Sequence, residues 1–347
     1  MRRFWCSCGQ PLFFDSTNCT SCGLKVGYDP IQDDMVTLSG VGQIDFLAGS
    51  QGGFNYCRNG LEHNACNWVV PAENSGSLCL GCSFNRTIPN LNIPQNITRW
   101  RRFEAAKKRL LYTCYHLDLP ISSGWYDKER GLLFDFLEDQ RTNPILLESF
   151  VSTGYLSGVI TINALEADDA SREATRQRMN ESYRTLLGHL RHESGHYFYG
   201  YLNDDASFRQ EFSELFGDAS IDYQEALDLH YKNGPVEGWR ESYISGYASS
   251  HPFEDWAECW SHFLHMTDTL ETALAYGMVN ENAFEGDFSR TASKWRRFSV
   301  ALNELNRSMG LRDAYPFVIT PEVEKKLDFV GRVVSWLRQS PERAATG

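Results

Sequence analysis

The chain has 347 residues, of which 42% are hydrophobic and 13% aromatic, so it can bury a substantial core and suits two domains. It has no run of 18 or more apolar residues, and its first residues lead into cysteines rather than a hydrophobic signal region. This pattern predicts a cytoplasmic protein with no membrane partner. The net charge is −12 at pH 7, with the acidic excess after residue 118. Because an acidic surface matches a phosphate backbone poorly, nucleic acid is not the expected partner.

Eight of the ten cysteines lie before residue 83, and Gly9 and Gly23 directly follow two of them. Such close pairs with a following glycine are typical of thiolate turns around tetrahedral zinc. A disulfide framework is the competing interpretation, but disulfides do not persist in a reducing compartment. We therefore expect residues 1–95 to form a small β-rich zinc-ribbon domain that ends in a linker. The pairs are Cys6-x-Cys8, Cys19-x-x-Cys22, Cys57-x8-Cys66 and Cys79-x-x-Cys82.

The assignment of these cysteines to zinc ions has two solutions. Taken in sequence order they form two four-cysteine sites, whereas in the alternative the two Cys-x-x-Cys pairs share one ion. His63 could replace a thiolate in the second cluster, but we expect it to be only a loop residue. One or two structural zinc ions are thus expected. The ribbon could hold a protein partner, cover a cleft or stabilise the start of the chain, and composition does not separate these roles.

Short strands, a linker and a helix are predicted next. Residues 35–38 and 43–46 have the composition of strands among glycines, and metal must hold so small a unit together. Residues 85–96 contain two prolines and several asparagines, which indicates a linker. An apolar stripe predicts a helix from about Thr98 to Leu117. We assign residues 96–347 to a second domain.

A β-hairpin is predicted just before the helical half of the chain. Residues 145–151 and 159–163 are rich in β-branched and aliphatic residues and flank a turn with Gly154 and Gly158. At a sheet edge, such a strand could hold an extended peptide through its free backbone groups. A plain core hairpin is the alternative interpretation.

The sequence His192-Glu193-x-x-His196 lies within a repeat of apolar residues spaced three and four apart. On a helix, positions i and i+4 share one face, so both imidazoles can reach one metal ion. Glu193 is then placed as a general base for a zinc-activated water. We expect one long amphipathic helix with Ser171 as its N-cap.

A catalytic zinc site needs a third protein ligand and an open position. Glu254 and Glu258 lie four residues apart on a helix expected from Pro252 to about Met266, so they share a face. One carboxylate can bind the metal while the other accepts the second N–H of a ligand histidine. We assign Glu254 as the ligand and Glu258 as the outer partner, and the reverse assignment stays open.

The chain resembles the bacterial zinc-binding metallopeptidases that join a cysteine-rich zinc-ribbon region to a zincin catalytic domain. The similarity spans nearly the whole chain and implies an α+β fold with a mainly helical catalytic domain and a small β-sheet. Its most specific parts are Cys6-Ser-Cys8-Gly, His192-Glu-Ser-Gly-His196-Tyr and His251-Pro-Phe-Glu254-Asp-Trp-Ala-Glu258.

The stretch around Glu254 is also distantly similar to the gluzincin pattern of lethal-factor-like proteases. In that pattern a tyrosine seven residues before the ligand glutamate points at the metal and stabilises the oxyanion. Tyr247 holds this place, so the resemblance favours Glu254 as ligand and gives Tyr247 a catalytic role.

The sequence hypothesis is a gluzincin-type zinc metallopeptidase that acts on a peptide or protein substrate. It has one catalytic zinc in addition to the structural ions. The same residues are also compatible with two alternative functions. The first is a zinc amidase acting on a non-peptide or isopeptide bond. The second is a non-catalytic zincin scaffold that recruits a partner through its zinc ribbons. Further helices are predicted at 293–309 and 321–337, followed by a disordered tail at 341–347.

Overall fold

The computed structural model describes residues 1–39, 45–47, 53–279 and 288–339. The chain divides into two compact units. The first, here called the ribbon unit, contains residues 2–115 and 121–173. The second, here called the helical unit, contains Met1 and residues 116–120 and 174–347. Helix α2 (Pro94–His116) and a four-stranded sheet therefore group with the cysteine-rich segment, and a domain limit near residue 95 remains a prediction.

The ribbon unit begins with antiparallel strands. Strands β1 and β2 form a two-stranded sheet, and β3 to β7 form an antiparallel sheet of five strands in sequence order. The predicted strand at 35–38 is confirmed as part of β4, whereas residues 43–44 of the predicted strand 43–46 lie outside the described residues. The elements are β1 (Phe4–Trp5), β2 (Pro11–Leu12), β3 (Lys25–Asp29), β4 (Asp34–Ser39), β5 (Asp45–Leu47), β6 (Gly53–Tyr56), α1 (Arg58–His63) and β7 (Val69–Pro71).

Aromatic side chains form the centre of this part of the ribbon unit. The ring of Phe14 lies 4.8 Å from that of Tyr28 and 5.3 Å from that of Tyr112, and Trp68 lies 5.1 Å from Tyr28. All four residues are buried. The predicted helix at 98–117 is confirmed as α2 (Pro94–His116). Because Tyr112 of this helix packs against Phe14, α2 anchors the cysteine-rich segment.

A mixed sheet completes the ribbon unit, with the strand order β10, β11, β9, β8. Strand β8 lies inside the predicted linker of residues 85–96. Because its backbone pairs in parallel with β9, the linker is shorter than expected. On α2, Phe103 stacks on Phe136 of β9 with ring centroids 4.6 Å apart. The strands are β8 (Asn85–Thr87), β9 (Leu133–Leu137), β10 (Gly154–Leu156) and β11 (Val159–Asn163).

The predicted hairpin is half right. Its second strand is β11, but residues 145–151 form an irregular segment, in which Ile145 and Leu147 are both 90% exposed. The hairpin partner is instead β10, at the edge of the sheet. Ser157 and Gly158 both have positive φ, as a two-residue hairpin loop requires, and this tight turn pairs Leu156 with Val159.

The helical unit is built from most of the remaining helices, and α3 crosses the limit between the two units. Helix α10 has the predicted bounds, and α8 begins at the predicted proline but continues nine residues beyond Met266. The predicted tail at 341–347 lies outside the described residues. The helices are α3 (Asp169–Arg178), α4 (Leu186–Tyr199), α5 (Ala206–Phe216), α6 (Tyr223–Asn233), α7 (Trp239–Ser242), α8 (Pro252–Ala275), α9 (Phe288–Ser308) and α10 (Pro321–Leu337).

The prediction of one long helix around the His-Glu motif is wrong. The chain forms α3 and α4 instead, with Asn180 between them in the left-handed region at φ +52°. The N-cap of the motif helix is Thr185, whose hydroxyl accepts a hydrogen bond from the backbone N–H of Gly188 at 3.0 Å, rather than Ser171. A repeat of apolar residues does not reveal such a break, because the spacing continues across it.

Helices α4 and α8 pack closely at one point. A Cβ atom on Gly195 would lie 2.9 Å from the Cα of Ala257, so only glycine permits this approach. Two tryptophans on α8 secure the crossing: Trp256 Nε1 donates to the carbonyl of Gly195 at 2.7 Å, and Trp260 Nε1 donates to Ser194 Oγ at 3.1 Å. The crossing brings the first turns of α8 alongside the histidines of α4.

The architecture is α+β, with a cysteine-rich zinc-ribbon-like region followed by a mainly helical part. Within the described ranges, no helix combines the length and the apolar composition needed to cross a bilayer.

Candidate metal centres

The first cysteine cluster comprises Cys6, Cys8, Cys19 and Cys22, whose sulfur atoms all lie within 4.8 Å of one another. Sγ of Cys6 lies 3.6 Å from that of Cys22, and the Cys8–Cys19 pair is also 3.6 Å apart. Tetrahedral zinc with bonds of about 2.3 Å to sulfur separates its thiolates by roughly 3.8 Å, whereas a disulfide would require about 2 Å. The spacing fits zinc and excludes disulfides.

Backbone turns hold these sulfur atoms in place. Gly9 N–H donates to the carbonyl of Cys6 at 2.8 Å, and Gly23 N–H donates to the carbonyl of Cys19 at 3.0 Å. Both glycines have positive φ, at +84° and +74°. The expected thiolate turns are therefore present, despite the single residue between Cys6 and Cys8.

The second cluster comprises Cys57, Cys66, Cys79 and Cys82 and is fully buried, whereas Cys8 and Cys22 of the first are exposed. Backbone N–H groups donate to its sulfur atoms, including Cys79 N–H to Cys57 Sγ at 3.2 Å. The geometry thus groups the cysteines in sequence order. His63 is not a member of this cluster, as expected, but it is the last residue of α1 rather than a loop residue.

A buried lysine accompanies the second cluster. Lys108 on α2 is 4% exposed, and its Nζ donates to Asn67 Oδ1 at 2.9 Å. Burial lowers the pKa of Lys108, but the nearby Cys66, Cys82 and Glu104 raise it by more, so the amine stays charged. Four thiolates around one zinc carry a net charge of −2, which a cation in a buried environment partly offsets.

The third centre lies in the helical unit and combines two helices. His192 and His196 stand one turn apart on α4, with ring centroids 5.1 Å apart. Glu254 lies in the first turn of α8, which is capped by His251, whose Nδ1 accepts from the N–H of Phe253 at 3.0 Å. One ligand atom from each of His192, His196 and Glu254 lies within 4.8 Å of the others.

The atoms of this centre converge. His192 Nε2 lies 2.9 Å from Glu254 Oε2, and His196 Nε2 lies 3.5 Å from Glu254 Oε1. Two imidazole nitrogens and a carboxylate are a ligand set that zinc accepts with a position left over. The residues therefore fit a zinc ion held by three protein ligands.

Glu258 contacts the other side of the same imidazole. Its Oε1 lies 2.8 Å from His192 Nδ1, and its Oε2 accepts from Ser245 Oγ at 2.6 Å. When Nδ1–H donates to Glu258, the lone pair of Nε2 faces Glu254 and is free for a metal. This geometry favours the first of the two sequence assignments, with Glu254 as ligand and Glu258 as the outer partner.

Charge coupling keeps the centre suited to a cation. Burial alone would lower the pKa of His192, but Glu254 and Glu258 raise it well above its usual value. Conversely, burial raises the pKa of Glu254, while His192 and His196 lower it by more, so the carboxylate is ionised. A cation bound between these residues would take the place of the proton on His192.

Glu193 and Tyr247 flank the centre. Glu193 is 7% exposed, and burial raises its pKa, as do Glu254 and Glu258, while His192 and His196 oppose the shift. Tyr247 opens a 3₁₀ turn of residues 247–250, with its ring 5.9 Å from that of His192. Burial raises the pKa of Tyr247 well above its usual value, so its phenol remains a hydrogen-bond donor.

The structure thus brings together all six residues predicted for the catalytic centre and, elsewhere, the eight predicted cysteines. It also adds three residues that the sequence reasoning missed: Tyr223, Ser245 and Lys108. Tyr223 OH donates to Glu254 Oε1 at 2.7 Å, across 31 residues of sequence. No local pattern indicates such a contact, because it depends on how α6 meets α8.

The α+β fold, the two zinc-ribbon-type cysteine clusters and the centre of two histidines and one glutamate place this chain in the class of zinc-binding proteins. Residues 96–333 match the family described as "Putative zinc-binding metallo-peptidase", and residues 3–93 match a zinc-ribbon domain. The chain belongs to this metallopeptidase family.

Relatives of nearly the same length occur in mycobacteria. Proteins from Mycobacterium tuberculosis and Mycobacterium bovis are each 39% identical over 343 residues, which covers 96% of this chain and 95% of theirs. Their names, "Uncharacterized protein Rv2568c" and "Uncharacterized protein Mb2598c", assign no activity. No solved structure matches the chain.

Proposed function

We propose that the chain is a gluzincin-type zinc metallopeptidase that hydrolyses peptide bonds. The observation that carries the proposal is the convergence of His192, His196 and Glu254, with Glu193 next to the first ligand on α4. In this proposal those three residues bind the catalytic zinc, and the two cysteine clusters bind two structural ions.

Zinc bound here supplies a Lewis acid that lowers the pKa of a coordinated water to roughly 7. Glu193 accepts a proton from the attacking water on its carboxylate and delivers it to the leaving amine. Tyr247 donates its phenol hydrogen to the oxyanion that develops on the scissile carbonyl. Glu258 holds His192 in the tautomer that presents Nε2 to the metal.

The proposal includes the cell compartment and the partners. Eight ligand thiolates must stay reduced, which favours the cytoplasm. The expected substrate is a peptide or a protein, and the ribbon is proposed to hold a protein partner rather than nucleic acid. Strand β10 lies at the edge of its sheet, which is the position where an extended peptide can add as a further strand.

The test compares Glu193→Gln with the wild type on a fluorescence-quenched peptide library. We expect the variant to keep its zinc content and to lose hydrolysis by at least about a hundredfold, because a positioned general base contributes about 10²–10⁴-fold. Glu214→Gln, an exposed change of the same type on α5, is the matched control and should retain activity.

Three results would contradict the proposal. Full activity of Glu193→Gln would exclude the mechanism. A wild-type protein that carries zinc only in the cysteine clusters and cleaves no library member would instead favour a non-catalytic scaffold. Cleavage of isopeptide or non-peptide amides alone would favour the amidase alternative.

A further inference from the structure

Helix α6 lies at the surface of the helical unit and reaches the third metal centre. None of its eleven residues is buried. Gly217 (φ +103°) is the C-cap of α5, and Gly234 (φ +80°) is the C-cap of α6. The N-cap of α6 is Asp222, whose carboxylate accepts from the N–H of Glu225 at 2.7 Å. The helix therefore contributes little to the core, and its contacts at the metal centre call for another explanation.

Tyr223, the first residue of α6, makes the most direct of these contacts. Its side chain is 40% exposed, yet its hydroxyl donates to the Oε1 atom of Glu254, which is 1% exposed. The phenol is the donor in this contact, because an ionised carboxylate can only accept. An exposed helix thus supplies a hydrogen bond to a buried carboxylate.

The two oxygens of Glu254 have different surroundings. Oε2 lies nearest His192 Nε2, at 2.9 Å, and Oε1 receives the Tyr223 hydroxyl at 2.7 Å. A carboxylate can bind a metal through one oxygen or through both. A strong donor on one oxygen competes with the metal for that oxygen and favours coordination through the other.

We propose that Tyr223 is a positioning residue that restricts Glu254 to single-oxygen coordination and so keeps a position at the metal open for water. This inference rests on the proposed function, because it concerns the same centre. Tyr223 acts on the metal through Glu254. It forms, with Glu258 and Ser245, the set of outer contacts that orient the ligands.

A plain structural role for Tyr223 predicts something different. If the hydroxyl only satisfied a buried carboxylate, its removal would alter stability and leave the metal geometry unchanged. The experiment therefore needs a measurement of coordination as well as one of activity. Tyr231→Phe is the matched control, because it removes a phenol hydroxyl from the same helix and Tyr231 bonds to Tyr247 rather than to Glu254.

The test uses Tyr223→Phe in the full-length chain with the cysteine clusters filled by zinc. Cobalt(II) is then added to the third centre, and the absence of thiolate-to-cobalt charge-transfer bands verifies that the clusters are not exchanged. We expect the cobalt d–d spectrum of Tyr223→Phe to shift toward that of a site with a higher coordination number, because both oxygens of Glu254 can then bind the metal. Zinc affinity, measured by chelator competition, should fall by about tenfold, as is typical for the loss of an outer partner.

A Tyr223→Phe protein whose cobalt spectrum and zinc affinity both match those of the wild type would overturn the inference, as would equal shifts in Tyr231→Phe. These readouts do not depend on hydrolysis. If the wild type binds cobalt at this centre but cleaves no peptide, the proposed function fails while the inference is still decided by the spectrum. Where activity is present, Tyr223→Phe should lower kcat more than it changes KM.

Discussion

The chain contains two kinds of metal centre, and they are built in different ways. Each cysteine cluster takes four ligands from a short stretch of the ribbon unit, and tight turns at Gly9 and Gly23 help to set the first of them. The candidate third centre would take two ligands from one helix and one from another, with His192 and Glu254 separated by 62 residues. Four thiolates close a site, whereas three ligands leave a position for chemistry.

The two cysteine clusters also differ from each other. The first has two exposed members, while the second is fully buried beside the charged Lys108. Burial protects thiolates from exchange and oxidation but raises the cost of their net charge. The second cluster should therefore hold its zinc more tightly and contribute more to the stability of the ribbon unit.

The largest expected effect comes from removing a ligand of the buried cluster. Cys79→Ser should lose one zinc per chain and most of the cooperative unfolding of the ribbon unit, because structural zinc contributes about 10–16 kcal/mol in small domains. Thermal unfolding and elemental analysis measure both effects. Cys114→Ser, which changes a buried cysteine of α2 outside the clusters, is the control and should keep the full zinc content.

Local signals explain what the sequence could predict and what it could not. The thiolate pairs, the i and i+4 histidines and the proline at the start of α8 are short-range patterns, and each is found where it was expected. The strand predicted at 145–151 is wrong although its composition is β-like. There, the buried carboxylate of Asp139 accepts the N–H of Val151 at 3.2 Å and holds the segment in a loop.

Long-range contacts were out of reach for the same reason. Nothing in the local sequence around Tyr223 indicates that this residue contacts Glu254 on another helix. The partner of Glu258 was missed in the same way, since Ser245 lies in a segment with no periodic pattern. Sequence patterns thus named the candidate ligands of the third centre and missed the two residues that donate hydrogen bonds to Glu254 and Glu258.

The next effect separates the third centre from the clusters. Glu254→Ala should abolish zinc binding at this centre while both cysteine clusters keep their zinc. Loss of a ligand lowers zinc affinity by more than the loss of an outer partner, which costs about 10–100-fold. Titration with a chromophoric chelator counts the remaining sites. Equal zinc content in Glu254→Ala and the wild type would exclude Glu254 as a ligand.

A smaller loss is expected at Glu258. Glu258→Gln should weaken zinc binding at the third centre by about 10–100-fold without abolishing it, since His192 loses an ionised acceptor at Nδ1 but keeps Nε2. Ser245→Ala should cost less, because Glu258 still faces His192. If Glu258→Gln emptied the site while Glu254→Ala kept its zinc, the reverse ligand assignment would be correct.

The smallest effect distinguishes the two cysteine clusters. Lys108→Met removes the buried positive charge beside Cys66 and Cys82 while keeping an unbranched side chain of similar length. We expect zinc to leave the second cluster about tenfold faster, by analogy with the loss of other outer partners, and to leave the first at an unchanged rate. Release kinetics into a chelator should resolve the two phases, and Cys22→Ser assigns the phase of the first cluster. If both phases changed equally, the charge of Lys108 would not act on the buried cluster alone, and the proposed difference between the clusters would have to rest on burial.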